Sequence, residues 1–422
     1  MYDLFNLDNN MRVVVEKLDH VNSVSVGLWI ENGSRNETEK TNGISHFIEH
    51  MFFKGTSNRN SIELAKAIED VGGQINAFTS KEATCFYIKV LNTHLELALE
   101  ILSDMIFNSL FLEEEIEKEK GVINEEINMN DDSPEDVLSD ICMEGIYGKD
   151  SISLPILGTK ESISHFHRKT LKDYVDKYYV PENTVLSICG NFDVKTIHNQ
   201  AEKYFGNWES KNSIITQYSN PAFEGVNVFK DKDIEQIHMA VSFKGIESGS
   251  KEIYPLALLC NALGGGASSI LFEKLREELG LCYTTYAYPS SHINTGCVTI
   301  YAGVNTNTVK DAYETINKVV DDFTKKKFNS EELRVFKEQL KGAYILGLES
   351  TSSKMFSNGK SALFLRKINT PSDIMKKIED INEESIMEVM NKTFKKGIIS
   401  SAFVGKSCEN FKDILHKPLR MV

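Results

Sequence analysis

Five consecutive residues, His46-Phe47-Ile48-Glu49-His50, put two imidazoles and a carboxylate at spacings that suit metal-assisted hydrolysis. On a helix, His46 and His50 are one turn apart and share a face. Two imidazoles so placed can hold one tetrahedral zinc, with a carboxylate from elsewhere in the chain as the third protein ligand. Glu49, three residues after His46, lies on the same side, within reach of a water in the open fourth position. That water is the nucleophile of a zinc hydrolase. With 10 histidines in 422 residues, a chance His-x-x-Glu-His is expected only ~0.02 times. Two histidines and an acid among bulky apolar residues would also be costly to bury without a metal or partners.

The elements around the motif are consistent with that reading. Thr41-Asn42-Gly43 offers a helix start, Ile44, Phe47, Ile48, Met51 and Phe52 supply apolar faces, and Lys54-Gly55 offers a stop. A third ligand is available from the stretch 113–127, which reads as a long acidic helix with an apolar seam at Ile116, Ile123 and Ile127. Glu119 and Glu126 are two turns apart there and share a face. One could ligate zinc while the other orients a histidine. Spacing alone does not choose Glu126 over its neighbour Glu125.

The segment from His46 through Met51-Phe52-Phe53-Lys54-Gly55-Thr56 resembles the active-site segment of the pitrilysin/insulinase zinc metallopeptidases, the inverzincins. The branch it is most similar to contains the mitochondrial processing peptidase and its bacterial relatives. The resemblance implies that Glu126 is the third zinc ligand and that Glu119 supports the site. It implies one Zn2+ per chain and a general-base role for Glu49. Gly72 to Thr79 matches the strand beside the zinc, so Asn76, Ala77 and Phe78 are expected to receive a substrate peptide as an added strand. Arg276 and Tyr283 match the family's pair that hydrogen-bonds substrate carbonyls and the tetrahedral intermediate. Without the resemblance, Arg276 would read as a surface helix charge and Tyr283 as a core aromatic. The family's active unit has four such domains around a chamber, which implies that this chain pairs, with itself or with a related subunit.

The remaining features bound the class. Hydrophobic content of 41% and charged content of 26% are those of an ordinary globular protein. A net charge of −14 argues against nucleic-acid binding and is compatible with cationic substrates or with solubility alone. The start, Met1 to Asp8, has neither a basic nor an apolar leader region, and no apolar run is long enough to span a membrane. Seven scattered cysteines without CxxC spacing read as reduced thiols of a cytoplasmic protein. Gly264-Gly265-Gly266 lacks the flanking residues of a nucleotide loop and reads as a turn or hinge.

The chain also repeats itself. Ser23–Ile30 and 237–243 alternate with the strand period, and each is followed by a helix-rich stretch and a further strand, at 84–91 and 297–304. Phe111-Leu112-Glu113-Glu114-Glu115-Ile116 lines up with Phe328-Asn329-Ser330-Glu331-Glu332-Leu333, an offset of 217 that carries Glu119 to Phe336 and Glu126 to Ala343. The second half therefore keeps the scaffold and lacks the metal ligands. The expected architecture is α+β: two duplicated domains, each a mainly antiparallel sheet flanked by helices. Residues 1–208 form the zinc domain, 209–226 a linker with Pro221, and 227–422 the duplicated domain. The expected function is zinc-dependent endopeptidase activity on peptides or unfolded segments, as a homodimer. The alternative is a catalytically silent partner subunit of a heterodimer. Natural substrate and cleavage preference are not legible.

Overall fold

The computed structural model describes residues 2–210, 216–407, 411, 415 and 419–421. Residues 211–215 of the expected linker, Cys408 and His416 lie outside the described residues. The first sheet contains β1 (Tyr2–Asn6), β2 (Arg12–Lys17), β3 (Ser23–Ile30), β4 (Gln74–Thr79), β5 (Thr84–Leu91) and β6 (Thr184–Gly190), in the order β1-β2-β6-β3-β5-β4. The second contains β7 (Asn227–Asp231), β8 (Gln236–Lys244), β9 (Cys282–His292), β10 (Thr295–Asn305), β11 (Ile398–Gly405) and β12 (Leu419–Met421), in the order β12-β7-β11-β8-β10-β9. Among the described residues only β2/β6, β7/β11 and β7/β12 pair in parallel; the other neighbours are antiparallel. The α+β class with two sheets of matching plan is therefore observed.

Alternation in β3 separates two cores rather than core from solvent. Val24, Val26, Leu28 and Ile30 pack with the motif helix, Ile44–Phe52, whereas Trp29 belongs to a second cluster on the opposite face. That opposite face is covered by a helix from far along the chain, Thr351–Leu365. Its carbonyls at Ala362 and Leu363 accept the Arg12 guanidinium at 2.8 and 2.9 Å, and Lys354 pairs with the buried Glu16 at 2.6 Å. Close approach needs glycine: a Cβ at Gly27 would lie 2.2 Å from the Met355 sulfur.

The two compact units are accordingly not contiguous. One comprises Met1–Ile127, Leu154–Tyr218 and Ile345–Thr370; the other comprises Asn128–Ser153, Ser219–Tyr344 and Pro371–Val422. In the second unit the helix Pro134–Tyr147 covers the sheet, with Val137, Leu138 and Ile141 against Val228, Ala240 and Ala402. The units therefore do not follow a division into 1–208 and 227–422: the chain changes unit after Tyr218, and each unit also takes one covering helix from the other half of the sequence. Periodicity marks a helix and its apolar face, not the sheet that face will cover. Among the described residues no helix is long and apolar enough to cross a membrane.

Candidate active site

The motif helix starts at Gly43, whose φ of 88° is left-handed and which provides no side-chain cap. Glu37 supplies the cap instead. Its buried carboxyl accepts the backbone N–H of Gly43 at 2.7 Å and of Ser45 at 2.9 Å, and the Asn42 amide at 3.0 Å. Burial pushes this carboxyl up to about 7, against the pull of those donors. Glu37→Ala leaves the donors without their acceptor and is expected to cost about 1–3 kcal/mol, read as a lower Tm. With the folded pKa above the unfolded one, the carboxyl's contribution is complete below about 4.5 and is lost as pH rises through about 7. The Tm gap between wild type and variant should therefore narrow from pH 5 to pH 8. A gap independent of pH would contradict burial as the governing effect.

On this helix the His46 and His50 rings meet edge to face, with centroids 4.5 Å apart and planes at 62°. The acidic helix, Glu113–Asp132, is held by the buried Ile116 and Ile123 and turns Glu126 toward them and Glu125 outward. Glu126 Oε2 lies 3.7 Å from His46 Nε2 and 3.6 Å from His50 Nε2. The three ligand atoms all lie within 4.8 Å of one another, the one such group of metal-ligating side chains among the described residues. A tetrahedral ion with bonds of about 2.0–2.2 Å needs ligand atoms roughly 3.3–3.5 Å apart. Two imidazole nitrogens and a carboxylate oxygen at these separations therefore fit zinc.

Electrostatics favours the ligand-competent form of His46. Burial first, and then the neighbouring His50, lower its pKa to about 3, so the imidazole is neutral. His50 is burdened by burial too, but its Nδ1 lies 2.7 Å from Glu119 Oε1, and that contact and the nearby carboxylates raise its pKa overall. Glu119 is only 2% exposed, and its other oxygen lies 2.5 Å from Lys54 Nζ. Burial disfavours the Glu119 charge, but His50 and Lys54 together hold its pKa below the usual range. Lys54, which local spacing marks as part of a helix stop, thus neutralises the acid that contacts His50. Glu49 is buried, which raises its pKa, and its Oε2 accepts the Thr79 hydroxyl at 2.5 Å.

Thr79 ends β4, the edge strand of the first sheet. Along that edge Asn76 is exposed and its side chain accepts the Ala77 N–H at 2.8 Å. Ala77 packs on the core beneath the motif helix, and Phe78 packs edge-on to Trp29 and Phe356 on the other face. The structure thus gathers His46, Glu49, His50, Glu119, Glu126 and the Asn76–Phe78 edge into one unit.

Arg276 and Tyr283 belong to the second unit. Arg276 projects from a π-helical segment, Phe272–Glu278, a widened turn frequent at functional sites. Its guanidinium carbon lies 4.7 Å from the Phe272 ring centroid and 4.4 Å from that of Tyr283. Tyr283 stands on β9, the edge of the second sheet, and is 74% exposed, not the core aromatic its type suggests. The guanidinium thus lies over the Tyr283 ring in a cation–π contact.

Two family models match the chain: Insulinase (Peptidase family M16) over residues 12–160, and Peptidase M16 inactive domain over residues 165–340. An uncharacterized zinc protease of Bacillus subtilis, YmxG, is 42% identical over 93% of this chain and 96% of its own length. An uncharacterized zinc protease of Rickettsia felis is 34% identical over 96% of this chain and 97% of its own. Among solved structures, a protease from Helicobacter pylori superposes with a TM-score of 0.88 at 23% identity, covering 96% of this chain and 99% of that one. At that identity the likeness speaks for the fold.

Proposed function

The chain belongs to the insulinase family of peptidases, and from that premise we propose that it is a zinc-dependent endopeptidase acting on peptides or unfolded segments. The observation that carries the reading is the convergence of His46, His50 and Glu126 beside a buried Glu49. His46, His50 and Glu126 would hold the ion. When bound, zinc supplies a Lewis acid that eases deprotonation of a water and polarises a carbonyl. Glu49 receives the proton of the attacking water and delivers it to the leaving amine. Glu119 accepts the His50 Nδ1 proton and so leaves the Nε2 lone pair for the cluster. The substrate adds as a strand along Asn76-Ala77-Phe78, where backbone hydrogen bonds give affinity and alternate side chains give selectivity. Arg276 and Tyr283 donate to the carbonyl oxygen as it gains charge.

The active species in this proposal is a cytoplasmic homodimer whose subunits enclose the substrate, each Arg276/Tyr283 pair serving the other chain's cluster. A silent-subunit role is not favoured. The inactive-domain match covers 165–340, a range without His46, His50 or Glu126. The test is digestion of a quenched-fluorescent peptide mixture, beside a stably folded protein, by enzyme carrying one zinc per chain. Internal cleavage of peptides with the folded protein intact is expected. No cleavage despite full zinc occupancy would move the silent-subunit reading forward.

A further inference from the structure

We infer that Thr79 is a positioning residue that fixes the carboxylate of Glu49 from the strand on which the substrate is laid. The role rests on the peptidase reading, but the contact can be tested without it. The Thr79 hydroxyl has one proton and two oxygen neighbours, Glu49 Oε2 at 2.5 Å and Thr84 Oγ1 at 3.3 Å. Thr84 already donates its own proton to the Asn32 carbonyl at 2.9 Å. The short contact is to Glu49, so the Thr79 proton belongs there, as a charge-assisted hydrogen bond. It is the one hydrogen bond to the Glu49 side chain among the described residues. Oε2 is thereby held in place, and among the described residues Oε1 accepts no hydrogen bond.

The donor is itself held rigidly. Thr79 pairs with Thr84 across β4 and β5, and the following turn is closed by Ser80 N–H to the Ala83 carbonyl at 2.8 Å. The Ser80 hydroxyl adds a second bond to the same carbonyl at 2.8 Å, and Arg35 N–H holds the Lys81 carbonyl at 2.8 Å. Thr79 is also β-branched, with few χ1 choices. Glu49 and the edge strand therefore share one frame of reference: a peptide added along β4 is registered against the strand that aims the base. This is how a side chain remote from the scissile bond can set a near-attack geometry.

Thr79→Val keeps the shape and removes the donor, and Thr79→Ser keeps the donor and removes the methyl. Thr79→Val is expected to lower kcat ~10- to 100-fold with KM within about twofold. Zinc affinity, measured by competition with a chromophoric chelator, should be unchanged, and Thr79→Ser should recover most of the rate. Equal impairment of the two variants, or a parallel loss of zinc affinity, would reduce Thr79 to a packing role and overturn the assignment. In metal-free protein, a thermal-unfolding cycle of Thr79→Val with Glu49→Ala should show coupling, a Tm loss from Thr79→Val that vanishes once residue 49 is Ala. Additive shifts would overturn the hydrogen bond outright. Coupling in a wild type that cleaves nothing would uphold the contact while the peptidase reading fails.

Discussion

Glu49→Gln should lower kcat by ~10²- to 10⁴-fold, the range for loss of a general base, while each chain still carries one zinc. The two readouts separate because Glu49 stands beside the ligand cluster and not within it. Gln is nearly isosteric, and its amide oxygen can still accept the Thr79 hydroxyl that Glu49 Oε2 accepts at 2.5 Å. The motif helix keeps its cap at Glu37 and its packing through Ile44, Phe47 and Ile48, so the imidazoles stay in place. What is lost is a basic oxygen able to take and return a proton. Progress curves on a quenched-fluorescent peptide, with zinc counted by mass spectrometry on the same sample, decide the matter. Activity within tenfold of wild type would mean that another group moves the proton. Loss of zinc along with activity would mean that Glu49 belongs to the ligand set.

The parts of the site legible in the sequence are those fixed by local spacing. His46 and His50 share a face because four residues make about one helical turn, and no tertiary knowledge is needed for that. Alternation and the repeat of the two halves marked β3, β5, β8 and β10 as strands, whereas the pairing of β3 with β5 and of β8 with β10 is set by tertiary contacts. The choice between Glu125 and Glu126 was not local. Both lie on one helix, and only the packing of Ile116 and Ile123 sets which one faces the histidines. The contacts that support the site were invisible for the same reason. Glu37 caps the motif helix from outside it, Lys54 pairs with an acid 65 positions later, and Thr79 reaches Glu49 across a sheet edge. Each is a polar residue of ordinary type at a position with no periodic signal. The exchanged helices were hidden by distance in sequence, since Thr351–Leu365 covers strands more than 150 residues earlier.

Arg276→Ala should lower kcat by ~10²- to 10³-fold, the effect of removing one donor to a developing oxyanion, without changing zinc content. The side chain is stacked between Phe272 and Tyr283 before any substrate arrives, so its orienting cost is met by the fold. The same variant tests the proposed dimer when mixed with Glu49→Gln under conditions that allow subunit exchange. If each active site joins Glu49 of one chain to Arg276 of the other, a hybrid dimer places both lesions in one site and leaves the second intact. Equal mixing gives hybrids as half of all dimers, so activity should return to about a quarter of wild type from two nearly inactive parents. If both residues serve a site within their own chain, every site in every dimer carries one lesion and mixing restores nothing. The Glu49→Gln/Arg276→Ala double variant mixed with wild type inverts the pattern: in trans each hybrid site has one lesion, and in cis the wild-type chain keeps its site. The shared arrangement therefore has to appear as a gain in the first mixture and a loss in the second, a combination that neither partial unfolding nor altered zinc affinity produces.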